Sequence, residues 1–145
     1  MANQIAAVTI LALAVASPTT AGPRISSIAG EAVATSAAAD PVIQQALSRI
    51  NELRHQAGAA PLKLNVQLTA AALGHAKDMA AKTYFSHTSL DGRTPGQRIA
   101  ATSYSFTAWG ENIAWGYADW NAALTAWMGS AGHRANLLNT RAPSR

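Results

Sequence analysis

The chain has 145 residues, of which 49% are hydrophobic and 12% charged, so we expect one folded domain rather than a disordered charged tail. The formal net charge is +4, but the basic residues are scattered singly, which argues against a nucleic-acid-binding groove. The sequence contains no cysteine, which excludes disulfides, thiolate metal sites and a cysteine nucleophile.

The N-terminus begins with an uncharged apolar run over residues 5–17, followed by small residues. This pattern is typical of a secretory signal peptide, and the run is too short for a membrane span of about 20 residues. A buried core helix is the alternative interpretation. An Ala/Ser-rich stretch continues to residue 39 without periodicity. We therefore predict a signal peptide and leader over residues 1–39, and a secreted or periplasmic protein with no integral span after signal removal.

The sequence from Asp40 onward predicts three amphipathic helices, each begun by a polar cap. Asp40 caps the first, where a proline takes the first helical position and apolar residues recur at helical spacing. Asn65 is expected to cap the second helix and Asp119 the third. A short helix capped by Thr94 lies between them. It is followed by an aromatic-rich stretch, "SYSFTAWGENIAWGY", which we expect to be a strand or an extended loop.

Three polar residues stand in loop-like segments beside turn-forming residues: His87, Glu111 and His133. Two imidazoles and a carboxylate are able to hold Zn²⁺ or another divalent cation with one position open. They can equally form a general base with its orienting carboxylate, or tie loops together by hydrogen bonds. Because their spacing matches no compact ligand motif, the residues alone favour the structural role.

Two serines are the candidate nucleophiles. Ser86 adjoins His87, but adjacent side chains in an extended segment face opposite sides. Ser130 is expected to cap a short helix, and neither serine lies in a GxSxG element. Serine hydrolysis is therefore disfavoured. His75 is expected to be a core histidine, and Arg134 is left open as an anion ligand or an ion-pair partner of a carboxylate.

Four segments, taken in order, resemble the CAP superfamily (cysteine-rich secretory proteins, antigen 5 and pathogenesis-related 1, also called the SCP domain). They are "INELRHQAGAAPLKLNVQLTAAALGHAKDMA", "YFSHTSLDGRTPGQRI", "WGENIAWG" and "AWMGSAGHRANLL". The resemblance is to the cysteine-free bacterial branch. It implies an α+β fold, an α-β-α sandwich, with a cleft framed by His and Glu. It matches His87 and Glu111 to the cleft pair and His133 to the histidine of the bacterial "GHR" element, while Ser130 stands where eukaryotic members have a second cleft glutamate.

The resemblance ends at residue 138, where family members continue with a Gly-rich strand and an aromatic strand. This chain has "TRAPSR" instead. We therefore expect an incomplete CAP domain over residues 40–138, an aberrant tail over residues 139–145, and a sandwich without its last sheet strands. The "ENIA" segment is then expected to have unpaired backbone groups. A natural short variant that pairs with another chain is the alternative.

The favoured function is an exported binding or scaffold module whose cleft takes a divalent metal at His87, Glu111 and His133. The same three residues are the candidates for catalysis, and whether the chain is an enzyme stays open. One alternative is an extracellular hydrolase of peptide or cell-wall material. Another is binding of a lipid- or sterol-like ligand near the tryptophans, and loss of function through truncation is a further one. The expected partner is a small ligand, a lipid or a cell-envelope component, not nucleic acid.

Overall fold

The computed structural model describes residues 11–13 and 39–138. In these ranges the chain forms two short strands and five helices. The strands are β1, Leu11–Leu13, and β2, Gly110–Asn112. The helices are α1, Pro41–Gln56; α2, Val66–Lys82; α3, Pro95–Ala100; α4, Trp120–Gly129; and α5, Ala131–Leu138.

Polar side chains begin four of the helices, as predicted. The carboxylate of Asp40 accepts the N–H of the second residue of α1 at 2.7 Å. Asn65 accepts two N–H groups of α2, and Asp119 accepts one of α4. Thr94 and Gln97 form a reciprocal capping box at α3. These bonds satisfy amide groups that have no partner within the helix, so local sequence chemistry sets where each of these helices starts.

The segment after β2 separates two helical layers. Ile113 and Ala114 are adjacent, and neighbouring side chains in an extended segment face opposite sides. Ile113 packs with buried residues of α2, whereas Ala114 packs with buried residues of α1, α4 and α5. The indole N–H of Trp127 donates to the carbonyl of Ile113 at 3.1 Å and fixes α4 on this segment. The arrangement is the predicted α-β-α sandwich.

Strand β1 lies antiparallel to β2, with Ala12 opposite Glu111. The prediction that the "ENIA" segment leaves its backbone unpaired is therefore wrong for β2 on the side that faces β1, because the apolar N-terminal run supplies N–H and C=O partners there. The rest of the predicted leader, residues 1–10 and 14–38, lies outside the described residues. So does the predicted aberrant tail at residues 139–145.

None of the helices in the described ranges combines the length and apolar character that crossing a bilayer requires.

Candidate functional site

His87 and Glu111 meet between two segments that are distant in sequence. His87 lies in the loop between α2 and α3, and Glu111 is the central residue of β2. The ring Nδ1 of His87 donates to Oε1 of Glu111 at 2.8 Å. The imidazole side chain is 51% exposed, whereas the Glu111 side chain is 4% exposed. A buried carboxylate therefore holds a ring whose other edge faces solvent.

The protonation of the His87 ring follows from this contact. A carboxylate oxygen accepts, so Nδ1 of His87 carries the proton that is shared with Glu111. In the neutral ring, Nε2 then has a free lone pair, and no side chain or carbonyl among residues 39–138 is bonded to it. This arrangement matches a base nitrogen oriented by a carboxylate.

Arg98 joins both members of the pair. Its Nη2 donates to Oε2 of Glu111 at 2.7 Å, and its Nη1 donates to the backbone carbonyl of His87 at 2.8 Å. The same Nη1 lies 3.1 Å from Ser89 Oγ and 3.1 Å from the Arg93 carbonyl. Arg98 is buried. Both oxygens of Glu111 are thus engaged, one by an imidazole and one by a guanidinium.

The buried His75 of α2 holds the loop that carries His87. Nε2 of His75 lies 2.8 Å from the carbonyl of Ser86, which only accepts, so Nε2 carries the proton. Burial lowers the pKa of His75, which keeps the ring neutral and makes Nδ1 an acceptor. The hydroxyl of Ser89, 3.3 Å from Nδ1, then donates to it while accepting from Arg98. The prediction of a core histidine is confirmed.

His133 stands in a separate hydrogen-bonded pair. Its Nδ1 lies 2.8 Å from Oγ of Ser130, which directly precedes α5 as predicted. The backbone carbonyl of His133 accepts from the buried side chain of Asn112 in β2. Asn136, one turn further along α5, donates to the Asn112 side chain at 2.9 Å. Helix α5 is therefore held against the strand that carries Glu111.

Close approach of α5 to β2 depends on a glycine. A Cβ atom at Gly110 would lie 3.2 Å from the side chain of Asn136. This distance is tighter than ordinary contact, so an added side chain requires the asparagine that joins helix and strand to shift by a few tenths of an ångström.

A divalent cation held by His87, Glu111 and His133 would need all three side chains close together. In the described part of the chain, no three His, Asp or Glu side chains lie close enough to hold one ion. Each of the two candidate histidines has its Nδ1 engaged, and both oxygens of Glu111 are bonded, one of them to a cation. The residues as arranged do not fit a three-ligand site. The assignment of His87, Glu111 and His133 as metal ligands or catalytic residues stays a prediction.

The candidate nucleophile Ser86 and the candidate ion-pair partner Arg134 have other bonding partners. Oγ of Ser86 accepts the N–H of Thr88, so it is not paired with the ring of His87. Arg134 donates to the carbonyl of Met128 at 3.1 Å, and the guanidinium beside Glu111 belongs to Arg98 instead. Neither Arg98 nor Ser89 was among the predicted site residues.

Two aromatic side chains that are close in sequence to His87 and Glu111 are exposed to solvent. Phe85, two residues before His87, is 52% exposed and packs edge-on against Trp115, with 6.2 Å between ring centroids. Trp109 is exposed and lies over Gly96, where a Cβ atom would come within 2.9 Å of the indole nitrogen. Trp127, in contrast, is buried.

A model of the cysteine-rich secretory protein family, CAP, matches residues 47–144. Two curated relatives come from Bacillus subtilis (strain 168). The uncharacterized membrane protein YlbC is 37% identical over 97 residues, covering 67% of this chain and 28% of the relative. The uncharacterized protein YkwD is 36% identical over 89 residues, covering 61% of this chain and 35% of the relative. The chain thus spans about a third or less of these relatives.

Two solved structures share the fold. One is an extracellular protein containing an SCP domain from Bacillus anthracis str. Ames, with a TM-score of 0.65 and 40% identity, covering 68% of this chain and 33% of that one. The other is an outer surface protein of Borrelia burgdorferi, with a TM-score of 0.64 and 31% identity, covering 68% of this chain and 73% of that one. Together with the α-β-α sandwich and the family match, these likenesses confirm that the chain belongs to the cysteine-rich secretory protein (CAP) family.

Proposed function

We propose that this chain is an extracytoplasmic binding module, with residues 40–138 as its CAP domain, and that Nε2 of His87 is its ligand contact. Export is supported by the apolar run at residues 5–17 and by two structural relatives, which are an extracellular and an outer surface protein. The contact is supported by the geometry around His87.

The observation that carries the proposal is the 2.8 Å bond from His87 Nδ1 to Glu111. A half-exposed imidazole ordinarily samples several rotamers, and fixing one of them on binding costs free energy. Here the buried carboxylate already fixes the ring, and Arg98 fixes the carboxylate. Nε2 is thus presented to solvent in one orientation before any ligand arrives.

The chemistry around Nε2 indicates the kind of ligand. A neutral imidazole nitrogen accepts a hydrogen bond, so the ligand carries a hydroxyl or an amide N–H. Phe85, two residues before His87, is exposed and packs on Trp115, so it offers an aromatic edge for an apolar face of the same ligand. Peptide and glycan components of the cell envelope combine both features, and we assign the ligand to that class.

The test is a titration of tryptophan fluorescence with soluble peptidoglycan fragments. We expect saturable binding that weakens by about tenfold or more in His87→Ala, the loss that corresponds to one hydrogen bond. His55→Ala is the matched control, because His55 is an exposed histidine near the end of α1. Equal affinity in His87→Ala and the parent chain would refute the proposal, and binding only to lipid vesicles would favour the apolar-ligand alternative.

A hydrolase is the second candidate, and the same pair favours it. An imidazole oriented by a buried carboxylate is able to take a proton from an attacking water. The test is release of products from the same fragments, compared with Glu111→Gln, which keeps the shape of the side chain but loses its charge. Turnover that disappears in this variant favours the hydrolase, whereas binding without turnover favours the binding module.

A further inference from the structure

We propose that Arg98 is the positioning residue of this site and that its guanidinium takes the place of a divalent cation beside Glu111. In this chain Glu111 would orient His87 rather than coordinate a metal. The inference rests on the proposed role of His87 as the ligand contact.

Arg98 is placed to position both partners at once. Its guanidinium is planar, so its donors point in fixed directions. One nitrogen meets the Glu111 carboxylate at 2.7 Å, and the other meets the backbone of His87 at 2.8 Å. The first contact sets the carboxylate and the second sets the loop from which the imidazole projects. No other described side chain bonds to both His87 and Glu111.

The position of the guanidinium is itself fixed. Nη1 of Arg98 also donates to the hydroxyl of Ser89, and that hydroxyl bonds to Nδ1 of the buried His75. A chain of hydrogen bonds therefore runs from the interior of α2 to the exposed ring of His87. Because its intermediate members are buried, no large change of side-chain conformation is open to Arg98 without loss of several bonds.

The charge of Arg98 sets what Glu111 is able to bind. An arginine stays protonated in proteins, and this one lies in contact with the carboxylate away from bulk water. A divalent ion on the same carboxylate would face this fixed positive charge at short range, where screening is weak. Glu111 already has a cation and an imidazole on its two oxygens, so the ion would also have to displace one of them.

The positioning role is tested by nitrogen NMR of the imidazole rings, which distinguishes the Nδ1–H from the Nε2–H form. In the parent chain we expect His87 in the Nδ1–H form. In Arg98→Gln, we expect a mixture of both forms in protein that is still folded by circular dichroism. Arg93→Gln is the matched control, because it removes an equal charge from an exposed side chain of the loop that carries His87. An unchanged ring in folded Arg98→Gln would overturn the positioning role.

The charge role is tested by calorimetric titration with Zn²⁺ alone. We expect Arg98→Gln to bind Zn²⁺ about tenfold more tightly than the parent chain, since a repelling cation is gone. Adding Glu111→Gln to that variant should abolish the gain, and Arg93→Gln should show none. A folded Arg98→Gln variant with no gain would overturn this part.

If Arg98→Gln does not fold, the parent chain and Glu111→Gln still test the proposal. The parent chain and Glu111→Gln should then bind Zn²⁺ equally, because Glu111 is not a ligand while Arg98 is present. Loss of zinc affinity in Glu111→Gln would overturn the proposal. These results are separate from the proposed function, which is refuted only if His87→Ala binds the peptidoglycan fragments as tightly as the parent chain does.

Discussion

Arg54, near the end of α1, donates to the carbonyl of Leu137, in the last turn of α5, at 2.6 Å. Its Nε also donates to the carbonyl of Ala60 at 2.8 Å. Burial lowers the pKa of Arg54, which reflects the cost of placing this cation among packed side chains. The positive group lies at the C-terminal end of α5, where helix carbonyls have no partner within the helix and carry partial negative charge.

We therefore expect Arg54→Met to lower the free energy of unfolding by about 2–3 kcal/mol, because two carbonyls lose charge-assisted bonds. Urea unfolding followed by tryptophan fluorescence measures this change. Arg49→Met is the control, since Arg49 is an exposed residue of the same helix that pairs with Glu52. Equal stability of the two variants would mean that Arg54 does not hold the helices together.

Alanine substitutions at Gly110 and Gly74 are expected to have opposite effects on the stability of the fold. A Cβ at Gly110 meets the side chain of Asn136, so Gly110→Ala should destabilise the protein by about 1–2 kcal/mol. A Cβ at Gly74, within α2, meets nothing within 4 Å. Gly74→Ala should therefore stabilise by roughly 0.5–1 kcal/mol through helix propensity. Thermal melts of both variants measure these two changes. A stabilising effect of Gly110→Ala would contradict the close packing of α5 on β2.

The stability of the fold should fall on acidification because of His75. Burial lowers the pKa of this ring in the folded protein below its ordinary value of 6.5, and this effect outweighs the hydrogen bond to Ser86, which raises the pKa. Below pH 6.5 the unfolded chain therefore binds more protons than the folded one, so stability decreases with falling pH and is independent of this group above that range.

Urea unfolding at a series of pH values measures how the free energy of unfolding changes with pH. His75→Gln, which retains a donor and an acceptor but does not titrate, should flatten the dependence below pH 6.5. His55→Gln, at an exposed position, is the control for the effect of the substitution itself. A slope that survives in His75→Gln would assign the effect to other groups.

Local chemistry explains which parts of this fold could be predicted from the sequence. The caps at Asp40, Asn65, Thr94 and Asp119 act on amides only two or three residues away, so the sequence contains all that is needed. The resemblance to the CAP family supplied the α-β-α order and the pairing of two segments that hold His87 and Glu111.

The two buried arginines could not be predicted in the same way. Arg54 meets a carbonyl 83 residues further along the chain, and a carbonyl has no signature in the sequence. Arg98 lies on a short helix between exposed Gln97 and buried Ile99, and only the folded structure shows that it points inward to Glu111. The apolar run at the N-terminus predicted a signal peptide, and its pairing of Ala12 with Glu111 depends on a strand edge far away in sequence.

The most direct test of the site is the nitrogen NMR spectrum of the two histidines in the unmodified protein, at a pH where both rings are neutral. His87 should be in the Nδ1–H form, because Glu111 accepts at Nδ1 and leaves Nε2 open to a ligand. His75 should be in the opposite form, because its Nε2 donates to the carbonyl of Ser86. A spectrum with His87 in the Nε2–H form would contradict the account, since the nitrogen assigned to the ligand would then carry a proton.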